Sequence, residues 1–225
     1  PGLPPKDGWF TQHYGGAPAD KISSRGDGLK KPWQRHNTRK LDAIRARIDD
    51  LDLGETEKAV LLTSLILALD RVDNTLGHFA AYLNEWSRRS FNRLELKVPH
   101  LFETSPERHE VFQKHIFVVL KNTEAVDLAY FDPPYGSNNE KMPPSRVRYA
   151  AYYHLWTSVI LNDRPQTFGK AKRRTDTSDK YAASEFEEFR KNDSGKFAAV
   201  EAIARLIKET RARHIIMSYC SGGRA

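Results

Sequence analysis

The feature that most constrains this chain is the segment Val126-Asp-Leu-Ala-Tyr-Phe-Asp132, cut off at once by Pro133-Pro134. A short apolar run bounded by breakers reads as a buried strand. Two prolines cannot continue a ladder, because each fixes φ and lacks an N–H donor. The chain must therefore leave the strand here in a stiff loop, with Asp132 at its first position. Downstream, Lys196–Arg213 carries Phe197, Val200, Ala204 and Ile207 on one helical face, and Ile215–Tyr219 is a second apolar strand. Strand, helix and strand at this spacing predict a parallel α/β sheet for the second half. In open sheets of that kind ligands bind at the carboxyl ends of the strands, which is where Asp132 falls.

The first half has a different pattern. Residues 1–35 are rich in Gly, Pro and Lys, and read as a loop anchored by Trp9, Phe10, Tyr14 and Trp33. A helix is predicted from Asn37 or Thr38, with Leu41, Ile44 and Ile48 on one face and Gly54 as its break. Glu55 to Trp86 reads as one long helix or two in succession. Leu94, Leu96 and Val98 alternate with polar residues, which predicts a short strand ending at Pro99. Val111–Lys114 is a further strand candidate and Phe117–Leu120 a short helix. Tyr149–Leu161 is a helix stopped by Asn162 and Pro165. Residues 1–105 thus read as a basic, mainly helical region and 106–225 as an α/β segment.

Charge is unevenly spread. Residues 21–47 hold nine lysines and arginines against Asp27 and Asp42, and 136–180 hold nine against four acids, within an overall formal charge of +7. Two basic stretches suit a polyanionic partner, although solvated loops would give the same count. Cys220 is the single cysteine, so no intramolecular disulfide forms and a reducing cytoplasm fits. No Cys/His cluster has zinc spacing. The most apolar run, Ala59–Leu69, is too short to span a bilayer.

Asp132-Pro-Pro-Tyr135 offers a carboxylate, a fixed carbonyl and an aromatic face in sequence. Those groups suit an exocyclic amine on a planar base: two acceptors for its N–H groups and a ring to stack on it. A plain turn would use the same residues. The motif resembles the catalytic loop of amino-methyltransferases, and the surrounding chain is similar to Dam-like adenine-N6 DNA methylases. The likeness continues through Leu41–Ile48, Leu69–Thr75, Tyr152–Trp156 and Ile216–Tyr219.

The resemblance implies a partial class I methyltransferase (Rossmann-like) sheet with a helical target-recognition lobe. It implies S-adenosyl-L-methionine as donor, and double-stranded DNA as substrate with the target adenine flipped out of the stack. Asp132 and Pro133 would hold the N6 amine, Pro134 would stiffen the loop and Tyr135 would stack on the base, with direct methyl transfer. Asn138, Lys141, Arg146, Arg148, Arg173 and Arg174 would contact DNA, Arg and Asn being common readers of G and A. His115 would stand where the family places an acidic residue near the donor's adenine. The family's Gly-rich donor turn does not precede Asp132, since Gly15-Gly16 and Gly26-x-Gly28 sit in polar loops. A missing upstream segment or a separate chain is therefore expected to supply it. A DNA-binding split subunit or inactive remnant is the alternative, and methylation of an amine in RNA or protein is a third.

Overall fold

The computed structural model describes residues 3–16, 31–83, 85–102, 109–134, 148–178, 184–188 and 191–218. The chain divides into two compact units, Pro1–Leu101 with Ala151–Thr177, and Phe102–Ala150 with Ser178–Ala225.

The first unit is built on helices. α1 is Trp9–Tyr14, α2 Arg35–Asp50 and α3 Glu55–Asp70. The core holds Leu41, Ile44 and Ile48 of α2 against Leu65 and Leu69 of α3, the spacing that brings apolar side chains onto one helical face. α2 ends at Asp50, before the expected break at Gly54, which instead takes the cap position at the start of α3. The glycine has no side chain to cap with, but its N–H donates to Glu57 Oε2 at 2.9 Å, satisfying one donor of the helix start.

α1 was expected to be loop, and the reason it is helical lies elsewhere in the chain. Asp42 of α2 accepts from the N–H groups of Gly8, Phe10 and Thr11 at 3.0, 3.0 and 2.9 Å, and from the Thr11 hydroxyl at 2.6 Å. The carboxylate is buried and serves as a cap donated by a neighbouring helix. Gly8 is required there, because a Cβ would lie 2.4 Å from Asp42 Oδ1. The expected aromatic anchors hold, since Phe10, Tyr14 and Trp33 are all buried and the Trp33 indole donates to the Leu69 carbonyl at 3.1 Å.

α3 stops at Asp70, and the described residues at 71–83 and 85–87 run in turns and bends rather than completing the expected long helix or pair of helices. Gly77 there has φ +92, a conformation no helix accepts. The short strand expected around Leu94–Val98 does not form. Leu94 is fully buried, while Leu96 and Val98 are exposed, so the alternation has one anchor and, among the described residues, no partner strand.

The remainder of the unit comes from α5 (Tyr149–Tyr152, of which Ala151 and Tyr152 belong here), α6 (His154–Leu161) and a hairpin of β2 (Thr167–Phe168) and β3 (Arg173–Arg174). Leu155 and Val159 of α6 enter the same core as α2 and α3. Arg45 of α2 donates from Nε to the Val159 carbonyl at 2.6 Å and from Nη2 to the Ile160 carbonyl at 3.1 Å. A buried cation thereby satisfies the open end of α6. Asn162, at φ 50, terminates that helix in the left-handed region.

The second unit holds α4 (Ile116–Asn122), β1 (Val126–Phe131), α7 (Ala198–Glu209) and β4 (Ala212–Met217). β1 and β4 pair in parallel, from Val126 opposite Ala212 to Phe131 opposite Met217. The helix between them is the expected one, shortened because residues 212 and 213 have joined β4. A small core of Phe117, Phe186, Ala202 and Leu206 packs with Phe131 and Met217. Val111–Lys114 is irregular and exposed rather than a strand. β1 itself is more open than a buried strand: Val126, Leu128 and Tyr130 are exposed, because the described residues supply cover mainly at Phe131.

Candidate active site at the end of β1

The parallel pair ends with both carboxyl termini on one edge. The Ser218 N–H donates to the Phe131 carbonyl at 2.8 Å, extending the pairing by one residue past β4. Asp132 follows directly and is exposed; Pro133 is buried and Pro134 half-buried. The loop is thus rooted by an apolar proline while its carboxylate faces outward. Tyr135, Asn138, Lys141 and Arg146 lie outside the described residues.

The other expected site residues are spread over both units. In the second, His115 does not end a strand but immediately precedes α4. Its side chain is 58% exposed, with Nε2 3.4 Å from Glu185 Oε1 and its ring 5.6 Å from that of Phe117. Arg148 is 2% exposed, donating to the Ser184 carbonyl and to Glu188 Oε2, each at 3.3 Å.

In the first unit, Arg174 is 4% exposed and grips two carboxylates, Asp163 through both oxygens at 2.7 Å and Asp176 at 3.0 and 2.7 Å. Those bonds hold the guanidinium still more firmly charged than usual, and the Arg174 hydrogen bond draws the Asp176 carboxyl below its ordinary range. Arg173 donates to the Thr177 carbonyl at 3.0 Å and lies 5.1 Å from the centre of the Phe168 ring. Arg148 and Arg174 are therefore internal ion-pair partners, a role their sequence neighbourhood gave no sign of.

One concave feature was not singled out from the sequence. A cleft of about 380 Å³ in the first unit is lined by Arg71, Arg93, Glu95 and Lys97 above Ala68 and Val72. Its basic residues are scattered between helix end and irregular segment, so no charge run marks them. Among the described residues there is no His/Cys/Asp/Glu cluster able to hold a metal ion, and no helix long and apolar enough to cross a membrane.

Asp132 is exposed where the chain leaves the carboxyl end of β1 for two prolines. Residues 6–215 match the family described as D12 class N6 adenine-specific DNA methyltransferase. The chain belongs to this family. It is similar to the modification methylase StsI of Streptococcus sanguinis, with 32% identity over 84% of this chain and 26% of that protein. It is also similar to the type II methyltransferase M.NlaIII of Neisseria lactamica, 28% identical over 98% of this chain and 58% of that protein. A further similarity is to the type II methyltransferase M.FokI of Planomicrobium okeanokoites, at 27% over 83% of this chain and 26% of that protein. The D12-family chain thus spans between about a quarter and three-fifths of these relatives' lengths. No solved structure matches it.

Proposed function

We propose that this D12-family chain carries the base-holding part of an adenine-N6 DNA methyltransferase. The observation that carries the proposal is Asp132, exposed at the carboxyl end of β1 and followed by a buried proline. The Asp132 carboxylate and the Pro133 carbonyl accept the two N–H groups of the adenine N6 amine. This draws the nitrogen lone pair out of conjugation with the ring and frees it for methylation. Pro134 limits the freedom of the loop, and Tyr135 stacks on the base. Adenine reaches these groups only when flipped out of the duplex, since its N6 is otherwise paired.

S-adenosyl-L-methionine, the donor expected for this family, would supply the methyl group. His115, the expected contact near the donor's adenine, stands beside Glu185. Among the expected DNA contacts, Asn138, Lys141, Arg146 and Arg173 remain in the proposal. Arg148 and Arg174 are committed to Glu188, Asp163 and Asp176 and are left out of it. Residues 1–105 act as the target-recognition region and 106–225 as part of a Rossmann-like catalytic core.

A second reading is a DNA-binding subunit whose donor site lies elsewhere, in keeping with His115, the expected donor contact, standing exposed beside Glu185. Both are tested by incubating the chain with duplex DNA and labelled S-adenosyl-L-methionine, then digesting the DNA to nucleosides. N6-methyladenine that disappears in Asp132→Ala supports the first. Salt-dependent DNA binding with no methylation and no donor binding by calorimetry supports the second. Methylation of RNA or protein in preference to DNA refutes both.

A further inference from the structure

Lys40, Asn37 and Leu94 explain why the segment after Phe91 is held straight without a partner strand. The Asn37 side chain donates to the Asn92 carbonyl at 2.9 Å and accepts from the Leu94 N–H at 2.9 Å. Lys40 donates to the Leu94 carbonyl at 2.5 Å. Asn92 has φ −64 and ψ 155, an extended conformation, and Leu94 is driven fully into the core. With Leu94 turned inward, the alternation of an extended backbone sends Arg93, Glu95 and Lys97 to the opposite side. Those are the residues that line the cleft, and Arg71, capping the end of α3, joins them.

Among the described residues none of Arg71, Arg93 and Lys97 makes an ion pair, whereas Arg35, Arg39, Arg45, Arg89 and Arg174 each do. Three exposed cations share one concavity with a single carboxylate, Glu95. An anion from outside would balance their excess positive charge. The lining carries no aromatic ring, so it offers nothing for a base to stack on. Guanidinium forks beside a small apolar floor of Ala68 and Val72 suit a sugar–phosphate backbone instead.

We propose that this cleft binds the phosphate backbone of duplex DNA through Arg71, Arg93 and Lys97, independently of base sequence. The inference rests on the reading of the chain as a DNA methyltransferase and adds a contact surface to it. A phosphate clamp positions the duplex and leaves the choice of sequence to groups elsewhere.

The test measures binding of a labelled duplex by fluorescence anisotropy across 50–200 mM salt. The unaltered chain is compared with Arg71→Gln/Arg93→Gln/Lys97→Gln and with the charge-matched control Lys58→Gln/Lys121→Gln/Lys208→Gln. Each lost phosphate contact lowers the slope of log affinity against log salt by about 0.9, so the cleft variant is expected to lose about 2–3 in slope. At 150 mM salt that is roughly a tenfold to hundredfold loss, equal for every duplex sequence tried. The swap Arg71→Lys/Arg93→Lys/Lys97→Arg keeps the charges, and is expected to keep the slope within about 1 of the parent. A cleft variant that melts like the parent and shares the control's slope overturns the cleft proposal alone. A parent chain with no salt-dependent DNA binding overturns the proposed function together with it. Weakening confined to one DNA sequence also refutes a backbone clamp.

Discussion

Replacing Asp42 with Ala is expected to undock α1, and the size of the loss follows from the four bonds the carboxylate accepts. Three backbone N–H groups and the Thr11 hydroxyl would be left in a buried site without an acceptor. Each stranded donor costs about 1–3 kcal/mol, so four on a rigid helix would lose about 4–12 kcal/mol in total. The helix is only six residues long, however, and can peel away to let water reach those groups. Peeling exposes Phe10 and Tyr14, at about 2–3 kcal/mol each, and regains backbone entropy in part compensation. The balance sets the expected loss at about 3–5 kcal/mol, the range seen when one partner of a buried charged network is removed.

Asp42→Asn keeps one acceptor oxygen in place and is expected to lose about half as much. The four tryptophans, Trp9, Trp33, Trp86 and Trp156, all fall in the first unit, so urea unfolding followed by their fluorescence isolates the relevant transition. Loss of α1 would also shift Trp9 emission to the red before the main transition. A loss below about 1 kcal/mol in Asp42→Ala, with Trp9 emission unchanged, would refute the idea that a distant carboxylate makes this helix.

Three further outcomes are expected. Asp132→Ala is expected to lower methyl transfer at least about a hundredfold while changing unfolding stability by less than about 0.5 kcal/mol, because the side chain is exposed; equal loss of folding and activity would count against a catalytic role. Arg174→Met removes the double fork to Asp163 and Asp176, both of which water reaches, and is expected to cost about 1–2 kcal/mol in urea unfolding, with Arg174→Lys recovering little because one ammonium cannot reproduce the fork. Burial, aided by the charges of Arg173 and Arg174 and opposed by Asp176, pushes His154 down to about 4. The unfolded chain therefore binds the proton more readily, and stability is expected to fall as pH drops from about 6.5 towards 4, by up to about 3 kcal/mol. His154→Phe should flatten that part of the pH profile in thermal melts, and an unchanged profile would exclude His154 as its source.

Features of the fold set by nearby residues were legible in the sequence. The strand before Pro133, the helix on Leu41, Ile44 and Ile48, the stop at Asn162 and the parallel pairing of β1 with β4 all follow from local periodicity and breakers. Features set by distant residues were not. α1 depends on Asp42, more than thirty positions away, and the segment around Leu94 depends on Asn37 and Lys40 rather than on a second strand. Both look like something else locally: a Gly-Trp-Phe loop in one case, an alternating strand in the other. At the candidate site, the sequence located Asp132 at a strand end, while the burial of Arg148 and Arg174 depends on carboxylates that no spacing rule identifies. The cleft residues escaped notice for a related reason, since Arg71 and the 93–97 segment meet only through the packing of α3 and α2.

The pairing of β1 with β4 has a consequence for how the protein is made. Val126 and Ala212 are partners although more than eighty residues separate them along the chain. During synthesis the Asp132 loop leaves the ribosome several seconds before β4, its strand's partner among the described residues, at ordinary elongation rates of about 5–20 residues per second. Until Met217 emerges, the β1 edge that β4 covers stays bare, beside the exposed side chains of Val126, Leu128 and Tyr130. Such an edge invites pairing with other chains. Truncation before Ala212 should therefore reveal itself first as insolubility, and slower translation between β1 and β4 should lower the yield of soluble protein.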